Sequence, residues 1–365
     1  MKTCSVRRFA MIVILAAAIV TIAPARSRAD SARTPAPDFT GKAWINSAPL
    51  RLSGLRGKVV LVDFWEYTCI NCIRTFPALR RWNSLYGPLG LVIIGVHTPE
   101  FAFARDDGRV REAVKRFGLT FPIVVDSDYK IWDAFHNEAW PAKYLIDKDG
   151  NIALVHLGEG QYTEFETQIQ KLLTEANPQL DFSGPKFAMP PPEPVAGCAQ
   201  ETPETYLGFE RGSRLVNESG YQRLKPASYT APAVIPPDGY ALNGRWLATP
   251  ESLQHTAGPG GADNSLTLRY EAKSVYLVAG SEDGTAKPLE VTQDGKPVAK
   301  NAMGIDLKTG AEGRTAAALT GKRMYYLIDN PEFGPHTLKL TAAAAPLSLY
   351  SFTFGNNCEN AFDHR

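Results

Sequence analysis

The chain is poor in cysteine, with five in 365 residues, at Cys4, Cys69, Cys72, Cys198 and Cys358. A structural zinc site normally draws its four ligands from two close pairs, and only Cys69 and Cys72 are close, so a cysteine-rich zinc site is disfavoured. A surplus of charge is also missing: 39 Lys and Arg stand against 38 Asp and Glu, a formal net charge of +1. Sequence-independent phosphate binding needs basic residues in excess on one face, so nothing here points to a nucleic-acid partner. With 44% apolar residues the chain is not a low-complexity disordered polymer. Its one long apolar run, Phe9 to Ala23, is shorter than the ~20 residues of a membrane-spanning helix.

That run has a different meaning. Lys2, Arg7 and Arg8 precede it, and the small-residue sites Ala23-Pro24-Ala25 and Ser27-Arg28-Ala29 follow, which is the pattern of a secretory signal peptide over residues 1–29. Export to an oxidising compartment such as the periplasm is therefore expected, with an uncleaved N-terminal anchor as the alternative. Cleavage would remove Cys4 and leave four cysteines, an even number.

The remaining length is enough for two domains. Over residues 35–178 the pattern is that of an α/β domain. Val59 to Trp65 and Leu91 to Val96 are unbroken apolar runs without alternation, which marks strands buried on both faces of a helix-covered sheet. Between them Ile73, Phe76, Leu79, Trp82 and Tyr86 recur at near-helical spacing. Further helices are expected over Arg109 to Phe117, around Tyr129 to Phe135 and over Phe165 to Ala176. A strand is expected at Pro122 to Val125. Lys143 to Ile146 and Ile152 to Leu157 flank Asp147-Lys148-Asp149-Gly150, a turn sequence, and so should form an antiparallel hairpin. The sum is a mixed sheet of about five strands.

Cys69-Ile70-Asn71-Cys72 follows the first strand and opens the helix after it. Thiols three apart on a first helical turn can close a small disulfide ring where free N–H groups and the helix dipole favour a thiolate. Cys69 is then the exposed nucleophile, and Cys72, one turn deeper, resolves a mixed disulfide. A purely structural bridge competes. Chain entropy gives so short a ring only ~2 kcal/mol, against ~5 for a loop of about 160 residues such as Cys198 to Cys358 would close, so the short bridge is the labile one. A peroxidase reading is weakened by Glu66, which stands where the peroxiredoxin pattern has Thr or Ser.

The segment Asp63-Phe64-Trp65-Glu66-Tyr67-Thr68-Cys69-Ile70-Asn71-Cys72, with His97-Thr98-Pro99-Glu100-Phe101 and Trp140-Pro141-Ala142-Lys143-Tyr144-Leu145-Ile146-Asp147, resembles the thioredoxin superfamily, and within it the extracytoplasmic TlpA-like and DipZ-like thiol oxidoreductases. The resemblance implies a catalytic set of Cys69, Cys72 and the buried acid Asp63, a proton carrier for the inner thiol. It implies a helix-kinking Pro77, a cis Trp140-Pro141 bond, and a substrate groove that also involves Trp65 and Glu66. No metal or organic cofactor is implied beyond the dithiol itself. Relatives often carry a glutamate three residues after the second cysteine. Thr75 stands there instead, which shifts acid-base duty towards Asp63 or Glu66. His97 reads first as a loop-ordering or capping residue. Phe101 to Gly108 is long for a connection and could be an insertion that shapes the site.

Residues 179–200 hold Pro185, Pro190, Pro191, Pro192 and Pro194, an extended connector. Over residues 201–358 short alternating runs separated by turn signals, including the Asp294-Gly295 hairpin, point to an all-β antiparallel sandwich. Cys198 and Cys358 bracket this region and are expected to form a structural disulfide. The region resembles the carbohydrate-binding-module-like C-terminal domain of DipZ proteins. Trp246 and the tyrosines are then either a sugar platform or, preferably, core. The expected partners are thiols and disulfides of envelope proteins, a membrane electron donor of the CcdA or DsbD type, and a saccharide or protein ligand of the β region. The competing classes are a disulfide-installing oxidant and a binding or adaptor protein with an incidental dithiol.

Overall fold

The computed structural model describes residues 34–41, 43–188, 199–256, 264–342 and 346–356. The predicted signal peptide, Cys198 and Cys358 with their expected disulfide, and the run of prolines at 190–194 all lie outside the described residues. Among the described residues no helix is long and apolar enough to cross a membrane.

The α/β region runs β1 (Ala43–Ile45), β2 (Val59–Trp65), α1 (Ile70–Tyr86), β3 (Leu91–His97), α2 (Asp107–Arg116), β4 (Ile123–Val125), α3 (Lys130–Ala134), β5 (Ala142–Ile146), β6 (Ile152–Leu157) and α4 (Tyr162–Ala176). Its strands form a six-stranded sheet in the order β1-β4-β3-β2-β5-β6. β2 pairs parallel with β3 and antiparallel with β5, so the sheet is mixed as expected. It has one strand more than the pattern suggested, because β1 is only Ala-Trp-Ile and is held in place by antiparallel pairing with β4 rather than by any periodicity of its own.

Every residue of β2 is buried. Val59, Leu61 and Trp65 join the core beneath α1 and α4, while Val60, Val62 and Phe64 join the core beneath α3 and Phe135. Side chains alternate across a strand, so Asp63 shares the face of Leu61 and Trp65. Gly95 of β3 lies beside Asp63 in register, and a Cβ there would fall 2.5 Å from Ile123 Cδ1 and 2.9 Å from the Trp65 indole nitrogen. Gly95→Ala is therefore expected to cost about 1–3 kcal/mol through overpacking. Urea denaturation checks this, and an unchanged midpoint would show that the indole moves aside freely.

The C-terminal region contains β7 (Thr205–Tyr206), β8 (Pro226–Tyr229), β9 (Tyr240–Ala248), β10 (Leu253–His255), β11 (Ser265–Ser281), β12 (Lys287–Gln293), β13 (Lys296–Pro297), β14 (Leu307–Thr309), β15 (Thr315–Leu319), β16 (Arg323–Ala342) and β17 (Leu347–Gly355). All ladders are antiparallel, and they join into one eleven-stranded network. The runs expected as separate short strands are halves of longer ones. Leu266 to Tyr270 and Val275 to Val278 both belong to β11, and Tyr325 to Ile328 and Thr337 to Leu340 both belong to β16. The N-terminal half of β11 pairs with β9 and its C-terminal half with β17, with a register irregularity between Ala272 and Ser274. Both arms deliver side chains to one core, including Leu242, Leu266, Leu277, Leu340 and Phe352. The Asp294-Gly295 turn joins β12 to β13 with positive φ at both residues, as a two-residue hairpin of this twist requires.

The two regions belong to one compact unit. Tyr276, Val278, Met324 and Tyr350 of the β region complete the core of α1, β3 and α2. The long connection after β3 is what docks them. Phe101 and Phe103 meet the Tyr350 ring at 5.3 and 4.8 Å, and the Ala102 N–H donates to both carboxylate oxygens of Glu251 at 3.0 and 3.1 Å. Part of the expected connector is also packed: Leu180, Phe182 and Phe187 cover the core beside Tyr86, since three large apolar side chains there are better buried than extended in water.

Candidate active site at the Cys69–Cys72 pair

β2 ends at Trp65, and the chain must turn before α1 can start. Glu66 makes that turn. Its carboxylate accepts from the Thr68 N–H at 2.6 Å and from the Thr68 hydroxyl, while the Cys69 N–H donates to the Glu66 carbonyl at 3.4 Å. Cys69 then caps α1: its extended backbone places the sulfur to accept from the Cys72 N–H at 3.2 Å. The two cysteines form a disulfide with their Cα atoms 5.3 Å apart. Cys69 is partly exposed and Cys72 fully buried, so the outer sulfur is the one a partner can reach. A thiolate at Cys69 would lie at the positive end of α1 and keep the Cys72 N–H as a donor.

Pro77 sits inside α1, where it withholds one backbone donor. The Trp140-Pro141 bond is cis. Pro141 directly precedes Ala142, whose register partner is Phe64, so the cis peptide lies alongside the carboxyl end of β2. Trp140 is half-buried; its indole nitrogen donates to the Thr98 carbonyl at 3.0 Å and its ring lies 4.2 Å from that of Trp132.

Trp65 and Glu66 are not surface elements. Both are completely buried, which corrects the expectation that they line an open groove. Trp65 packs edge-on against Phe76 and His97 because α1 folds directly back over the end of β2. His97 is likewise buried, stacked on Tyr67 at 5.5 Å, with its Nε2 3.8 Å from Glu66 Oε1. Neither ring nitrogen has a hydrogen-bond partner among the described residues, so it caps nothing.

Asp63 is fully buried, and neither of its carboxylate oxygens is hydrogen-bonded by a described group. Burial pushes its carboxyl up to about 7, opposed by the charge of Lys143, its register neighbour on β5. Lys143, also buried, donates to the Gly158 carbonyl at 3.2 Å. A carboxyl poised near neutrality beneath the helix that carries both thiols can take up or release a proton as the buried thiol changes state. Among the described residues no three of His, Cys, Asp and Glu gather closely enough to hold a metal ion.

Two features near the pair had little sequence signal. Glu100, three residues after His97, is buried against the β region, where Tyr206 donates to it at 2.7 Å and Arg211 at 3.0 Å. Burial, with the negative charge of Glu204 next, pushes its carboxyl up to about 8. Tyr67 is the second: it is buried against the His97 ring, and its hydroxyl is unpartnered among the described residues. In the β region Trp246 is fully buried and its indole nitrogen donates to the Asn243 carbonyl at 2.9 Å. Tyr240, Tyr270 and Tyr325 are buried as well, so these rings are core rather than a sugar platform.

The AhpC/TSA family matches residues 32–155, and the family described as thioredoxin-like C-terminal domain matches residues 202–355. Thiol-disulfide oxidoreductase YkuV of Bacillus subtilis is 33% identical over 144 residues, covering 39% of this chain and 97% of YkuV. The chain belongs to the thiol-disulfide oxidoreductases. Protein DipZ of Mycobacterium bovis is 35% identical over 326 residues, 88% of this chain, so its similarity extends through both regions. The chain spans less than half of that protein, 43% of its length. A solved thioredoxin-like protein in the oxidised form is 33% identical, with a TM-score of 0.36, and covers 39% of this oxidoreductase and 97% of its own chain.

Proposed function

We propose that this oxidoreductase exchanges disulfides with extracytoplasmic proteins through Cys69 and Cys72. The observation that carries the reading is the asymmetric pair itself: an outer sulfur at a helix N-cap receiving an N–H bond, and an inner sulfur fully buried one turn below. In the reducing direction the Cys69 thiolate attacks one sulfur of a substrate disulfide and the other sulfur leaves as a thiolate. Cys72, after giving its proton to Asp63, attacks Cys69 and releases the second substrate sulfur, leaving the Cys69–Cys72 disulfide. The cis Trp140-Pro141 peptide at the end of β2 offers backbone to an extended substrate segment.

Export by residues 1–29 fits such substrates, and a reductive role in disulfide turnover or cytochrome c maturation is the part of the proposal that the direction of electron flow decides. A membrane electron donor of the CcdA or DsbD type would then re-reduce the pair. The dithiol needs no further cofactor for this chemistry. Reaction of the reduced protein with an uncharged small disulfide, followed by tryptophan fluorescence, tests the proposal. Stoichiometric oxidation that is abolished by Cys69→Ser is expected, and equal reaction of wild type and Cys69→Ser would overturn it.

A further inference from the structure

A cleft of about 290 Å³ lies between α2 and the turn that leads into β16, lined by side chains from both regions of the fold. Tyr67, two residues before Cys69, forms part of its wall, so the cleft adjoins the loop that presents the dithiol. Arg109, Glu112 and Arg116 come from α2, and Lys322 and Arg323 from the β region. Glu112 is the one carboxylate among four cationic side chains in the lining.

Two features of this wall are incomplete. The Tyr67 ring is 3% exposed and its hydroxyl has no hydrogen-bond partner among the described residues. A buried hydroxyl without an acceptor costs about 1–3 kcal/mol, which a bound acceptor would relieve. The second feature is the pattern of charge. Arg109 has Asp106 at 3.8 Å, Lys322 has Glu282 at 2.9 Å and Arg323 has Asp306 at 2.6 Å. Arg116 is exposed at the cleft rim with its guanidinium 4.4 Å from the Phe117 ring centre, and neither it nor Glu112 has an oppositely charged group within ion-pair distance among the described residues. Partial desolvation of its guanidinium, followed by the like charge of Arg323, holds it below the ordinary value. Burial and then the carboxylate of Glu66 act on the Tyr67 hydroxyl most strongly, followed by Arg109, Asp106 and Arg116; of these charged groups Arg109 and Arg116 share the cleft lining with Tyr67.

We propose that this cleft is a substrate subsite that binds a carboxylate of an acidic segment flanking the target disulfide, with Arg116 supplying the charge and the Tyr67 hydroxyl a hydrogen bond. A guanidinium suits a planar carboxylate, and a hydroxyl donor completes its other lone pair. The proposal rests on the exchange function above and adds to it a preference for acidic protein substrates. The subsite exists only while the β region is docked, which gives that region a part in substrate choice without any ligand of its own.

The test uses the full oxidised chain and a labelled peptide with a Glu-Asp cluster beside two serines in place of its disulfide cysteines, against a twin carrying Gln and Asn. The acidic peptide is expected to bind about tenfold more tightly at low ionic strength, with the advantage shrinking as salt is added. Arg116→Gln is expected to remove the difference, and Tyr67→Phe to reduce it severalfold. Equal affinity of the twins, or a difference that survives Arg116→Gln, would overturn the proposal. Displacement of the peptide by oxidised glutathione at equal concentration would assign the cleft to small carboxylate-bearing disulfides and overturn the protein-segment assignment. Reaction of the same wild-type and variant proteins, first reduced, with uncharged hydroxyethyl disulfide separates the two layers. Its loss with peptide preference intact retires the exchange reading, and its persistence without peptide preference retires the cleft alone.

Discussion

Cys72→Ser in the full chain is expected to hold substrate proteins in mixed disulfides with Cys69, and to slow multiple-turnover exchange by on the order of a thousandfold. The reason is geometric. A partner reaches the partly exposed Cys69, and the group placed to expel it is the buried Cys72 immediately beneath, whose N–H already donates to the Cys69 sulfur. A hydroxyl in that place keeps the packing and loses the nucleophile. Nonreducing electrophoresis and mass spectrometry of the trapped species check the result. Cys69→Ser should trap nothing, and so should the double variant. Adducts formed equally by wild type and Cys72→Ser would mean that Cys72 does not resolve them.

The second large effect belongs to Asp63. Its folded carboxyl is pushed from an ordinary 3.8 up to about 7 by burial, with Lys143 opposing. A raised acid favours the folded state's protonated form. The cost of ionising it is absent below about pH 4, grows as pH rises from about 4 to 7, and is full above 7, where it amounts to roughly 4 kcal/mol. Asp63→Asn removes that slope. The variant is expected to gain stability over wild type by a few kcal/mol at pH 8 and little at pH 4, while exchange at pH 7 slows by about a hundredfold for want of a proton carrier. Urea midpoints at both pH values, together with the pH profile of exchange, measure the two halves. Parallel stability curves for wild type and variant would show that the carboxyl is ionised in the fold without penalty.

Much of this site was legible in the residues because its elements are locally determined. β2 and β3 are unbroken apolar runs, Cys69 and Cys72 share one helical turn, and the turn residues between β5 and β6 announce their hairpin. What escaped depended on long-range packing. Trp65 and Glu66 adjoin an exposed cysteine in sequence, yet α1 folds back over them and buries both. β1 is too short to show a period and is fixed by β4. β11 and β16 were read as pairs of short strands because three charged residues, an amide and a proline, Glu271, Lys273, Glu332, Asn330 and Pro331, interrupt the apolar pattern where these strands pass between arms of the sheet. The long connection after β3 was visible as an insertion. That Phe101 and Phe103 pack on Tyr350, and so make one unit of two regions, depends on residues far apart in the chain.

The Cys69–Cys72 bond is expected to be a working redox couple rather than a brace. Equilibration of the full chain against a series of thiol–disulfide buffers, with the free thiols counted by mass spectrometry, tests this directly. A reversible two-electron transition confined to Cys69 and Cys72, at a potential above about −300 mV, is the expected result. A pair that stays oxidised in buffers poised well below that value would contradict the account and leave the bond a structural one.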